Sequence, residues 1–175
     1  MQKIHKKESW LVICIVVAAV LILGMISYSH ADIIVEPPTS QTVLEDNDLA
    51  VNTPAGRIVV GISTREEVKK IYPLGDDLGR SGIYHPKGID CLLTFSAEDI
   101  LIRMDIGPGN LSSARGVTPG DSFTKVVDIY GNNYTRAYDK MSPQNFDAYF
   151  GADKYILFKV EDNVVKKFYI GSGQF

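Results

Sequence analysis

The sequence predicts an α+β fold: an N-terminal transmembrane helix, then two tandem helix-plus-β-hairpin repeats that pack short helices on an antiparallel sheet. Three observations predict it. One apolar run stands near the start, one segment is written twice at an offset of 58 residues, and two strand–acidic turn–strand stretches have equal length.

The apolar run comes first. Lys3, Lys6 and Lys7 lie on a short polar N-terminus, residues 1–9, and LVICIVVAAVLILGMI follows. With Trp10 and Tyr28 as interfacial flanks, residues 10–28 make a helix of about 28 Å, close to the hydrocarbon thickness of a bilayer. Such a helix satisfies its own backbone hydrogen bonds in lipid, and the basic flank places the N-terminus in the cytoplasm. The expectation is a single-pass signal-anchor, N-in/C-out, with the lipid bilayer as partner through residues 10–28 and an extracytoplasmic domain beyond it. A cleaved signal peptide is the competing reading. Ser29-His30-Ala31 offers small residues at the −3 and −1 positions, and cleavage after Ala31 would give a secreted protein. The apolar core is longer than the roughly 7–15 residues usual for signal sequences, which favours the anchor.

Composition excludes several function classes. The chain carries a formal charge of −3, and three Lys and one Glu before residue 32 leave −5 for the rest. A mildly acidic domain has no electrostatic footprint for nucleic acid. Beyond residue 31 Cys91 stands alone, so no internal disulfide forms there and the fold relies on its apolar core. Cys91 lies in the strand-like run CLLTF and reads as a buried, inert thiol. Residues 32–55 hold Pro37, Pro38 and Pro54 among Glu36, Glu45, Asp46 and Asp48, the composition of an acidic linker. Val43, Leu44, Leu49 and Val51 would suit an edge strand in its second half.

The duplication defines a first repeat unit, 56–108, and a second, 109–175. RIVVGISTREEVKKIY from Arg57 lies over RGVTPGDSFTKVVDIY from Arg115. Val68, Ile71 and Tyr72 correspond to Val126, Ile129 and Tyr130, both at the i, i+3, i+4 spacing of one helix face. Thr64 with Glu67 makes a capping box, and Asp121 or Ser122 caps the second helix. Pro73 stops the first helix, and Gly131 suits a left-handed cap after the second. Both helices are about nine residues, too short to stand alone. Later in each unit, alternating strands flank the acidic turns Ala97-Glu98-Asp99 and Glu161-Asp162-Asn163. Leu93, Phe95, Ile100, Ile102, Met104 and Ile106 are expected to share one face in the first hairpin. Ile156, Phe158, Val160, Phe168 and Ile170 do so in the second. The stretch 73–89 reads as turns; 135–153 fits a short helix or a strand.

GISTREEVKKIYP and RGVTPGDSFTKVVDIYG resemble the opening of SmpA/OmlA and beta-lactamase-inhibitor-protein-like (BLIP-like) modules, which also recur in extracytoplasmic bacterial proteins. The resemblance covers about 120 residues and implies a duplicated helix-and-sheet fold with a protein-binding, non-catalytic role. The lipobox cysteine of the envelope lipoproteins and the paired cysteines of the secreted inhibitors are missing here, and Pro73 stands where the repeat usually has Gly.

Chemistry finds little support. His5 and His30 fall outside the predicted domain, leaving His85 as its one histidine, in the loop Tyr84-His85-Pro86-Lys87. No nucleophile elbow accompanies it, and one His with one Cys does not make a usual zinc site. The acidic turns are too short for an EF-hand. The expectation is no enzyme, no catalytic residue, no metal and no cofactor. By alternation Tyr155 and Tyr169 face away from Ile156 and Phe168, beside Lys159 and Lys167. That aromatic and basic sheet face is the candidate interaction surface; the alternative is that these tyrosines pack against Phe146 or the neighbouring unit. The expected function is a membrane-anchored, extracytoplasmic, non-catalytic protein-interaction or envelope-associated module with a protein partner. The alternatives are a surface ligand- or glycan-binding sensor domain, or a secreted inhibitor-like protein after signal cleavage.

Overall fold

The computed structural model describes residues 32–79 and 82–173. Among them the chain is mainly β. Strands β1 (Ile33–Glu36), β2 (Ala50–Thr53) and β3 (Gly56–Val59) precede helix α1 (Arg65–Ile71). Then follow β4 (Gly75–Leu78), β5 (Ile83–Pro86), β6 (Cys91–Phe95), β7 (Leu101–Ile106) and β8 (Ser112–Ser113). Helix α2 (Phe123–Tyr130) leads into β9 (Thr135–Asp139), β10 (Asn145–Gly151), β11 (Lys154–Glu161) and β12 (Val164–Ser172). One antiparallel sheet of nine strands runs β1-β9-β10-β11-β12-β7-β6-β5-β4, and a second of three runs β3-β2-β8.

The predicted fold class is corrected on two counts. Each helix is followed by four antiparallel strands of the large sheet, not by one hairpin, and both sets merge through the β12–β7 ladder into that single sheet. The class is therefore mainly β rather than α+β repeats. The reason is width. A helix is about 10 Å across with its side chains, whereas two strands cover little more than the ~4.8 Å between them. The stretch read as turns, 73–89, supplies β4 and β5 in one unit, and the stretch 135–153, which fitted a short helix or a strand, supplies β9 and β10 in the other.

The second correction concerns the membrane. Residues 10–28 lie outside the described residues, and among those described no helix is long and apolar enough to cross a bilayer. Helices α1 and α2 have seven and eight residues, about 10–12 Å against the ~30 Å of a hydrocarbon core. The transmembrane helix, the signal-anchor and the single-pass, N-in/C-out placement are accordingly withdrawn from the description of this fold.

The segment read as an acidic linker takes part in the fold. It supplies β1, β2 and a 3-10 turn at Asp46–Leu49, and it buries Leu44, Leu49, Ala50 and Val51. Arg57 donates to the Asn47 side-chain oxygen at 2.8 Å, and Arg115 grips Asp48 through Nε at 2.6 Å and Nη2 at 2.7 Å. The two arginines matched by the duplication thus reach back to one turn.

The capping residues hold the helices as their chemistry requires. Thr64 accepts from the Glu67 N–H while Glu67 accepts from the Thr64 N–H, and Ser122 accepts from the Lys125 N–H. Both hairpin tips dock beside these caps: the Arg65 N–H donates to the Asp99 carbonyl at 2.9 Å and the Phe123 N–H to the Asn163 carbonyl at 2.8 Å. Asp162 and Asn163 have φ of 49° and 62°, as a two-residue primed hairpin turn demands. The first tip is longer, with Asp99 at φ 60°.

One face of the large sheet carries the core. Leu93, Met104, Ile106, Phe150, Ile156, Phe158, Phe168 and Ile170 are buried there with Val68 of α1 and Phe123, Val126 and Tyr130 of α2. Phe123 meets Phe146 edge-on with centroids 4.9 Å apart. The inward set of the first hairpin differs from expectation by one residue. A bulge at Thr94/Phe95 pairs Phe95 with Leu101, so Leu101 is buried while Ile102 is only half-buried.

Candidate interaction face

The opposite face of the sheet is where the four predicted site residues lie. Cross-strand register sets Tyr155 against Gly171, Leu157 against Tyr169, and Lys159 against Lys167. β12 pairs in turn with β7, so Tyr169 stands opposite Asp105 and Gly171 opposite Arg103. On the other side β10 brings Tyr149 opposite Leu157 and Asp147 opposite Lys159. Residues directly opposite share a face, so these side chains form one band across four strands.

The centre of the band is packed. Tyr155 and Tyr149 stack with centroids 5.4 Å apart and planes 17° from parallel. Tyr155 also lies over Gly171, where a Cβ would overlap its ring. Although it sits on the side away from the core, Tyr155 is only 4% exposed. Burial raises its phenol pKa above the ordinary 10.0, as it does for Tyr149. Tyr169 remains half-buried, with the Arg103 guanidinium 5.0 Å from its ring centroid and the Lys167 amine 5.4 Å away. Arg103 is braced by Asp105, with Nε at 2.6 Å and Nη2 at 3.2 Å, and this carboxylate raises the guanidinium pKa above its ordinary value.

The two lysines mark the margin. Like charges facing each other across strands repel, and the pair Lys159 and Lys167 is offset by neighbours. Lys159 Nζ is 3.6 Å from Asp147. The Lys167 pKa is raised first by the Tyr169 hydroxyl and further by Asp105 and Asp90. Beyond Lys159 the face falls into a shallow depression of about 240 Å³ between Ile33, Ala137, Asp139, Asp147 and Glu161.

The structure thus brings Tyr155, Tyr169, Lys159 and Lys167 onto two adjacent strands, but with unequal parts. Tyr155 is a platform beneath the surface, while Tyr169 and the lysines meet solvent. Sequence reasoning missed Arg103, Asp105, Tyr149 and Leu157. The signal for Arg103 and Asp105 was the same alternation that turned Met104 and Ile106 inward. Tyr149 and Leu157 depended on knowing that β10 pairs with β11.

Elsewhere, Cys91 is buried, and its thiol is pushed up to about 12, by burial first and then by Asp105 and Asp90. It is protonated at neutral pH and a poor nucleophile. His85 sits on β5 opposite Asp76. Among the described residues no group of three or more His, Cys, Asp or Glu is placed to hold a metal ion.

Fold and face together define a class: an open antiparallel β scaffold with helices on one side and an aromatic and charged band on the other. No family model matches this chain, and no curated protein or solved structure matches it either.

Proposed function

We propose that this protein is a non-catalytic protein-interaction module whose contact surface is the band around Tyr169, Leu157, Arg103, Lys159 and Lys167. The observation that supports it is the build of that band. An antiparallel sheet tolerates one wet face without any function, but such a face is ordinarily polar. Here Tyr169 and Arg103, of the residue types that dominate interface hot spots, are held in place by a cation–π contact and a bidentate ion pair. Side chains already fixed lose little entropy on binding. The resemblance of the two helix openings to BLIP-like and SmpA/OmlA-like modules points the same way.

The glycan-binding alternative has less support. Sugars stack on open aromatic rings, whereas the Tyr155 ring is covered and Tyr169 already faces Arg103 and Lys167.

The test is quantitative cross-linking in cells with the full chain and with the variant Tyr169→Ala/Lys167→Ala. A partner cross-linked to the wild type should fall at least about tenfold with the variant. A change on the helix side, such as Lys70→Ala, should leave it unaltered. Identical partner profiles for the wild type and the band variant would reject the proposal.

A further inference from the structure

The two outermost strands of the large sheet differ in a way that assigns one of them a partner. β4 carries Asp76 and Asp77, with Lys87 4.0 Å from the first and Arg65 and Lys69 at 2.9 Å and 2.8 Å from the second. Charges of this kind blunt an edge against further pairing. β1 reads Ile33-Ile34-Val35-Glu36 and has no Pro, Gly or lysine. Ile33 and Val35 are 57% and 58% exposed on the side away from the core. Glu36 turns to the other side, where Tyr138 Oη donates to it at 2.8 Å and Arg136 Nη1 lies 3.4 Å away.

The ladder to β9 determines which backbone groups of β1 remain on its other side. Ile33 is opposite Asp139, Ile34 opposite Tyr138 and Val35 opposite Ala137. The Lys140 N–H donates to the Asp32 carbonyl at 3.0 Å. Hydrogen-bonded pairs alternate in an antiparallel ladder. Asp32, Ile34 and Glu36 therefore bond to β9, while the N–H and C=O groups of Ile33 and Val35 point outward. Among the described residues no strand pairs with that side.

We infer that this edge receives β1 of a second copy of the chain, antiparallel and centred on Ile34. In that register Ile33 of each copy faces Val35 of the other as a hydrogen-bonded pair. The outward N–H and C=O groups of both residues are satisfied, and four exposed apolar side chains close into one patch. Asp32 falls opposite Glu36, but Lys140 and Arg136 already accompany these carboxylates, at 3.7 Å and 3.4 Å. A register centred on Val35 would set Ile33 against Pro37, which has no N–H to give. The edge is thus complementary to itself, and two sheets join into one.

The register predicts a contact that can be trapped. Ile34 meets Ile34 of the other copy as a non-hydrogen-bonded pair, with Cβ atoms about 4.5–5.5 Å apart, near disulfide range. In the full chain carrying Cys14→Ser, the substitution Ile34→Cys should yield a covalent dimer under copper–phenanthroline. Ile33→Cys and Val35→Cys should yield several-fold less. Adding Val35→Pro removes an outward N–H and leaves the β9 ladder intact, so cross-linking through residue 34 should drop about tenfold or more. Cys91 staying inert to a thiol reagent in each variant reports that the core is intact. Absence of the residue-34 dimer in folded protein would overturn the inference, as would a dimer insensitive to Val35→Pro or a maximum at residue 35. A purified chain that stays monomeric and takes up only an extended peptide of another protein would overturn it too.

Discussion

Tyr155 shows how one side chain on a bare sheet face can still be shielded from water. Its ring rests on the backbone of Gly171, whose lack of a Cβ creates the space, and Tyr149 stacks on it. The arrangement is the cross-strand rescue of a weak glycine by an aromatic. Gly171→Ala should therefore force the ring off its seat and lower stability by about 1–3 kcal/mol. With Tyr155→Ala in the same chain the clash is gone, and the double variant should lose less than the two single losses added together. Urea unfolding of the four proteins measures the difference; strict additivity would show that the ring and the glycine do not share this contact. Alternation placed Tyr155 on the correct side and packing of its ring was one of the two readings, but Phe146 was named as a partner where Gly171 in the neighbouring strand and Tyr149 cover it.

At the scale of elements, the 3-10 turn at Asp46–Leu49 ties both units together, and its weight falls on Asp48. Burial pushes this carboxyl up, but the Arg115 guanidinium and the Glu45 N–H together outweigh it and hold the pKa below the ordinary 3.8. A depressed folded pKa means that the ionised form stabilises the fold above the ordinary value. That stabilisation is lost as pH falls through the folded pKa. Stability should drop as pH is lowered from about 4 toward 2. Asp48→Asn should cost about 1–3 kcal/mol at neutral pH and flatten this acid limb, read from thermal unfolding across pH. An unchanged acid limb would assign it to other carboxylates.

Elements also differ in how plainly the sequence announced them. Thr64, Glu67 and Ser122 signalled their helix starts because a cap is a local bond between residues three apart. The tips at Asp99 and Asp162-Asn163 were equally local. β4 and β5 were not legible, since Gly75-Asp76-Asp77-Leu78 lacks the apolar alternation of a half-buried strand. Its partner contacts come from Arg65 and Lys69 on α1. β1 was hidden for a similar reason: its ladder is to β9, about a hundred residues onward, and Pro37 and Pro38 gave it the look of a spacer. The band shared this limit. Lys159, Lys167, Tyr155 and Tyr169 belong to one hairpin and were found together, whereas Arg103 and Asp105 join them only through the β12–β7 ladder.

Across the whole molecule, three ladders run between residues on either side of the Gly107-Pro108-Gly109 connection: β1 with β9, β2 with β8, and β7 with β12. Severed between Gly109 and Asn110, the polypeptide would become two interleaved fragments, each missing partners on more than one side. Separately expressed, each piece should show weak circular dichroism and rapid proteolysis. Mixed, they should reassemble into a nicked species with native protection, detectable as a stoichiometric complex. The protein would then serve as its own split reporter, in which recovery of an intact sheet registers that the two fragments have met.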